Sequence, residues 1–446
     1  MRFKTREVFL IALEKKDVSC LEPLISPLQE IYSNVSFFSF PFDEFFDCNA
    51  LRRFCYADFP LVVISSSGLT EFISAIRKNG TYEVVNIEHG IAPFKSYSYG
   101  PHLVANGHYI APTQLWAERL RRLNPDKAGR VHLGGFPRLE ALRELRRAAL
   151  SEKGSPEPND PQLARWMAAS GERKLVILTW DTNADELDKM PDRENIAYLY
   201  HPADGFGLSQ RKSSRCCLFL SNDELVTHLF CNADKVYGDF SSLSFEALAM
   251  GIPAHIFIDR RFYISDCDLE EVFFDRSSPD FGRIPETEYR LDSKLVLDGP
   301  QLAAALGDDG ADAPSLAVAD LPAGMLPPTD RDNRLIIADI IRDIAEDQPD
   351  ISADAVSDDR FNNVMFVLDG YLQILGRPAD LSGLNYYLAK IESDSRPRPV
   401  VALEVLNALA GSNEGLKRFS SGDWRLPSLK LSIRTEESRC SPKPHD

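Results

Sequence analysis

Short runs that are apolar at every position alternate with amphipathic stretches along most of this chain. Strands are expected at 7–14, Val35–Phe40, Leu61–Ile64, Tyr82–Ile87 and Arg130–Leu133. Helical periodicity fills the intervals: 17–32, broken up by Pro23 and Pro27, then 42–54, 70–78, 113–123 and 139–152. Residues 91–107 read as loop. Strands with no polar face must be covered on both sides, which predicts a parallel sheet flanked by helices. A polar Pro/Gly stretch at 154–160 (GSPEPND) reads as a linker. The alternation then restarts. Strands are expected at Leu175–Thr179, Ala197–Tyr200, Cys217–Leu220, Lys235–Tyr237 and His255–Ile258, with helices at 161–170, 222–231 and 242–250. The pattern gives an α/β chain of two doubly wound halves, 1–153 and 161–296, with a cleft between them. Residues 297–330, rich in Ala, Gly, Asp and Pro, read as a flexible connector; 331–347 as a helix closing the core; 358–420 as a small all-helical module; and 421–446 as a frayed tail.

Residues 232–263 organise the rest. A strand through Val236 and Tyr237 meets Gly238-Asp239-Phe240-Ser241-Ser242, then a helix stopped by Gly251 and Pro253. Free backbone N–H groups, the helix dipole and two hydroxyls would converge on an anion there. The same residues also read as a plain Ser N-cap. His89, before Gly90, and His201, before Pro202, each follow a predicted strand. A strand-end histidine is placed to act as a general base or to donate to a phosphate oxygen, or simply to cap its strand. Lys95 and Arg138 are cations able to neutralise phosphate charge, or solvated surface charges. Glu246, in the first turn of the Ser-Ser helix, complements the dipole or accepts from a ribose diol.

Composition narrows the partners. The 446-residue chain carries a net charge of −17, which argues against nucleic acid as a whole-surface partner. Residues 113–150 run the other way, with eight Arg and one Lys against four Asp/Glu. That stretch would suit an anionic acceptor or peripheral contact with inner-membrane lipid head groups; a solvated helix face with i,i+4 pairs explains it equally well. No apolar run is long enough to span a bilayer, and the N-terminal apolar run is too short for a signal peptide, so a cytoplasmic location is expected. The eight cysteines include no C-x-x-C pair and read as buried thiols. Asp266-Cys267-Asp268 is too short a match to argue for a metal. P-loop, G-x-G-x-x-G and H-E-x-x-H motifs are missing.

Taken in order, the motifs are His89-Gly90…Lys95, Gly135-Phe136-Pro137-Arg138, His201-Pro202, Asp239-Phe240-Ser241-Ser242…Phe245-Glu246 and Gly251-Ile252-Pro253. Over about residues 80–345 this resembles the CDP-glycerol glycerophosphotransferase family, the teichoic-acid-type polymerases and their capsule relatives. The resemblance implies a GT-B fold of two Rossmann-like domains. It implies metal-independent transfer from a cytidine-nucleotide donor, with no separate cofactor, to a bacterial cell-surface glycan or lipid-linked glycan. His89 would be the base on the acceptor hydroxyl. His201, Ser241 and Ser242 would hold the donor phosphates; Asp239, Glu246, Arg138 and Lys95 are, from the residues themselves, the further donor-site candidates. Tyr200 before His-Pro and Gly238 before Asp239 depart from the family pattern. His-Pro and Ser-Ser motifs also mark GT-B enzymes with CMP-activated donors, the bacterial sialyltransferases and Kdo transferases. A glycan-binding scaffold with a degenerate core is the non-enzymatic alternative. Separately, Tyr371-Leu372…Leu375-Gly376-Arg377-Pro378-Ala379-Asp380…Gly383-Leu384…Tyr386-Tyr387 resembles DUF4214, in which Arg377 and Tyr387 either bind carbohydrate or only pack.

Overall fold

The computed structural model describes residues 3–13, 15–39, 48–57, 60–65, 69–77, 82–88, 90–91, 102–105, 107–151, 160–178, 191–200, 215–238, 241–257, 296–297, 299–307, 324–346, 358–377 and 379–421. Two compact units divide the chain, Met1–Ala355 and Val356–Asp446.

The first unit opens with β1 (Phe3–Ala12), α1 (Lys15–Leu21), a 3-10 turn at Glu22–Leu24, α2 (Ile25–Ile31) and β2 (Tyr32–Ser39). Pro23 thus sits in the tight turn between two short helices, as its fixed φ and missing N–H require. α3 (Cys48–Tyr56), β3 (Leu61–Ile64), α4 (Leu69–Ile76), β4 (Glu83–Ile87), α5 (His102–Ala105) and β5 (His108–Ala111) follow. α6 (Gln114–Leu123), β6 (Val131–Leu133) and α7 (Pro137–Leu150) complete the first half. Its six strands are all parallel in the order β2-β1-β3-β4-β5-β6. β5 and α5 correct the sequence reading, which ran loop up to residue 107 and placed no strand before α6. A four-residue strand carries little signal of its own. It is held by pairing with β4 on one side and β6 on the other.

α8 (Pro161–Ala168), β7 (Lys174–Leu178), β8 (Ile196–Tyr200), β9 (Cys217–Leu220), α9 (Asp223–Asn232), β10 (Lys235–Gly238), α10 (Ser242–Ala249), β11 (Ala254–Phe257), β12 (Val296–Leu297) and α11 (Gly299–Gly307) form the second half. Its parallel order is β12-β11-β10-β7-β8-β9. Counted from β7, this is the Rossmann order, with its switch point between β7 and β10. The connector expected over 297–330 is therefore corrected in part. Residues 299–307 are helical, and Leu302 and Leu306 are buried against Val176, Tyr198 and Tyr237.

α12 (Asn333–Glu346) carries the chain back to the first sheet. Ile337, Ala338, Ile341 and Ile344 pack with Val8, Leu10, Leu61, Val63 and Val85. Both halves are thus Rossmann-like parallel sheets, as the GT-B reading requires. One apolar cluster joins Ile91, Leu115, Phe136 and Leu139 of the first half to Ile177, Phe245, Leu248 and Ile256 of the second.

The second unit is all-helical: α13 (Asp358–Gly370), a π-turn at Tyr371–Leu375, α14 (Leu381–Ser393), α15 (Arg398–Ala410) and α16 (Asn413–Ser421). Phe361, Val364, Leu368, Leu384, Leu388, Val401 and Val405 are its core. The arginine at 377 is occupied structurally. Its Nε donates to Glu414 at 2.7 Å, its Nη1 pairs with Asp380, and the group lies over the Tyr371 ring. Among the described residues, no helix is long and apolar enough to cross a membrane.

Candidate functional site

The site is built from the carboxyl end of β10 upward. Gly238 closes the strand, pairing with Ile177 of β7 across the switch point. A Cβ at Gly238 would strike the buried Ser244 hydroxyl, so only glycine lets the strand pass this close to α10. Ser241 is the N-cap, with extended φ −61° and ψ 144°; its Oγ accepts from Leu243 N at 3.3 Å. Ser242 is the first helical residue; Glu246 lies one turn on, not in the first turn as the sequence suggested, because the helix starts at Ser242, and it is only 1% exposed. Residues i and i+4 share a helix face, so Ser242 and Glu246 form one stripe.

The first half meets that stripe. Gly90 follows the carboxyl end of β4, and a Cβ on it would collide with Ser242 Oγ. The carboxyl ends of the two sheets therefore converge at one point, where ligands of such sheets bind. Glu88, just before it, accepts from the Tyr109 hydroxyl of β5 at 2.7 Å, which fixes the exit of β4. Arg138, in the first turn of α7, places Nε 3.7 Å from Glu246 Oε2 and Nη1 3.3 Å from Ser19 Oγ of α1.

α7 also grips the second half further along. Arg143 donates through Nε and Nη2 to the carbonyl of Ala249, the last residue of α10, at 3.2 and 2.9 Å. Arg146 donates to the carbonyls of Phe230 and Ala233 at the end of α9. Burial lowers the Arg146 pKa from its ordinary value, but the group stays cationic. Arg143 is itself braced by Glu140, 3.0 Å away, and Glu140 accepts from the fully buried Asn333 at 2.6 Å. Asn333 accepts in turn from Phe136 N at 3.0 Å. Gly135 takes φ +88° beside it, where any Cβ would overlap Asn333 Oδ1.

Of the sequence-derived site residues, Ser241, Ser242, Glu246 and Arg138 gather here. His89, Lys95, His201 and Asp239 lie outside the described residues, as does Asp266-Cys267-Asp268. The basic stretch 113–150 is largely spent on structure. Arg121, Arg130, Arg143 and Arg146 donate to backbone carbonyls, and Arg119 and Arg138 are buried. The charge open to an anionic surface is smaller than the count of cations suggests. Sequence reasoning missed Ser19, Glu88 and Asn333. Only Glu88 left a local signal, as a carboxylate adjoining His89. Among the described residues, no group of three or more His, Cys, Asp or Glu is placed to hold a metal ion.

Residues 352–419 match the family model described as a domain of unknown function (DUF4214). No curated protein matches the chain. Among solved structures, the chain is similar to the wall teichoic acid polymerase TagF, with 13% identity over 77% of this chain and 90% of that one, at a TM-score of 0.46. It is also similar to a UDP-GlcNAc 2-epimerase from Neisseria meningitidis bound to UDP-GlcNAc, with 12% identity, 57% and 83% coverage and a TM-score of 0.42. A putative UDP-N-acetylglucosamine 2-epimerase from Listeria monocytogenes has 13% identity, 84% and 99% coverage and a TM-score of 0.43.

Proposed function

We propose that this protein is a GT-B transferase that takes a cytidine-nucleotide donor, CDP-glycerol or a related compound, and passes its activated group to a bacterial cell-surface glycan or lipid-linked glycan. The observation that carries this reading is the approach of Gly90 to Ser242. It brings the carboxyl end of β4, which His89 follows in sequence, against the helix N-terminus at the switch point of the second sheet.

The chemistry follows from that placement. Backbone N–H groups at the start of α10, the Ser241 and Ser242 hydroxyls and His201 stabilise negative charge as it builds on the departing nucleotide. Glu246 accepts from the ribose diol. Lys95 neutralises phosphate charge, and Asp239 and Arg138 belong to the same donor site. His89 accepts the proton of the acceptor hydroxyl as the new bond forms at phosphorus. Apposition of the two halves excludes water, which limits loss of donor to hydrolysis. With helix dipole, hydroxyls and side-chain cations supplying the charge stabilisation, the reading requires no metal.

Thermal unfolding of the full chain with CMP, CDP, CDP-glycerol, CMP-sialic acid, UDP and GDP, without added metal, tests it. A ligand at ~100 times its dissociation constant adds about 2.7 kcal/mol. The expected result is stabilisation by cytidine nucleotides only, lost in His201→Ala. Stabilisation by UDP or GDP instead overturns the cytidine assignment. Silence from every nucleotide favours the glycan-binding scaffold.

A further inference from the structure

Arg138 occupies a place where a cation is costly. It lies in the first turn of α7, where the helix's own dipole is positive, and is 6% exposed. Its guanidinium is held between α1 and α10, on the Ser19 hydroxyl and the Glu246 carboxylate. Glu246 shares its helix face with Ser242, and Ser242 is the residue Gly90 touches. Two parts of the first half, the exit of β4 and the start of α7, thus bear on one stripe of α10.

We propose that Arg138 is a positioning residue. It holds the Glu246 carboxylate against the first half and so fixes the rotation at which the Ser242–Glu246 face of α10 meets the nucleotide. A guanidinium suits this task because its planar fork can contact a hydroxyl and a carboxylate on two different helices at once, which an ammonium on a flexible stem does less well. Donor binding in the second half then depends on a side chain supplied by the first. Donor is held in its productive orientation only when the halves are joined. The inference rests on the reading of the α10 N-terminus as the donor seat.

The test is calorimetric titration of full-length protein with CMP. Arg138→Met should weaken CMP by about tenfold or more, and Glu246→Gln by a similar factor. The combined variant should lose no more than the worse single one, because both changes remove one interaction. Arg138→Lys should recover part of the loss, and it carries the test if Arg138→Met does not fold. Arg143→Ala, which frees the opposite end of α10, should leave CMP affinity unchanged. With CDP-glycerol as donor, the Arg138→Lys effect should fall on the donor KM and spare kcat. Losses that multiply in the combined variant would show that the two residues act separately and overturn the proposal. So would CMP affinity in Arg138→Lys equal to the parent's while Glu246→Gln weakens it. A parent protein that binds no cytidine nucleotide overturns the donor reading itself, an outcome distinct from failure of the Arg138 coupling.

Discussion

α10 begins with two serines, beside which Gly90 of the opposite half lies, and carries a buried carboxylate one turn on; at its C-terminus a single carbonyl is clamped by a braced arginine. The first end carries two hydroxyls, one of which caps the helix through Leu243 N. The second satisfies a C-terminal carbonyl with a cation, the charge that a helix C-terminus favours. One end of this short helix is held and the other faces the opposite half. An eight-residue helix is marginal on its own. Arg143 holds the far end in place through Ala249, and the near end carries the Ser241 and Ser242 hydroxyls. Changes at the anchored end should therefore lower stability and spare donor affinity. Changes at the serine end should lower donor affinity, and should lower stability only where they introduce a clash.

The largest expected effect is at the root of the anchor. Asn333→Ala strands the Phe136 N–H and loosens Glu140 beneath Arg143, and should cost about 3 kcal/mol by denaturant unfolding. Arg143→Ala removes the clamp itself and should cost about 2 kcal/mol, with CMP affinity unchanged. A fall in affinity matching the fall in stability would erase the contrast between the ends. Gly90→Ala drives a methyl into Ser242 and should cost about 1–2 kcal/mol along with donor affinity. Adding Ser242→Gly should restore the stability and leave the affinity low. Ser242→Ala alone should weaken CMP by about tenfold, worth about 1.4 kcal/mol of binding, and barely move the melting temperature, since Ser241 is the cap.

The smallest effect should ignore α10 altogether. His132 bonds His108 at 2.9 Å, and burial first, then Arg121, lowers its pKa, against an opposing pull from Asp343. A histidine that resists protonation when folded stabilises the protein fully above its unfolded pKa. That contribution fades as pH falls from about 6.5 toward the lower folded value. Melting temperature should drop over that window, and His132→Gln should flatten the drop without altering CMP affinity at neutral pH.

Much of this architecture was readable from residue order. β3 and β9 fall on the residues expected, and α7, α9 and α10 within two residues at either end, because apolar runs and Ser, Pro and Gly punctuation are local signals. β5 was not readable, since His108–Ala111 is a strand only by virtue of both neighbours. α11 was hidden by its alanines and glycines, although Leu302 and Leu306 stand at helical spacing. At the site, the Ser-Ser turn and Arg138 announced themselves as chemistry. The partners of Arg138, Arg143 and Arg146 did not, because Glu246, Ala249 and Ala233 lie far along the chain. A run of arginines looks alike in sequence whether it faces lipid or caps helices in another domain. Only the placement of α9 and α10 separates the two.

The position of α12 bears on how the molecule is made. Ile337, Ile341 and Ile344 cover strands that leave the ribosome more than two hundred and fifty residues earlier. Each buried isoleucine withdraws about 1.5–3 kcal/mol worth of apolar surface from water. Until that helix emerges, part of one apolar face of the first sheet stays uncovered beside α1 and α2, whereas the described strands and helices of the second half are already in hand. Synthesis from the N-terminus should therefore complete the later half first, with the earlier half waiting on the last turns of the core. Nascent chains arrested before Asn333 should show protease protection of β7–β11 and α9–α11 and cleavage within β1–β4, and release past Glu346 should close both together.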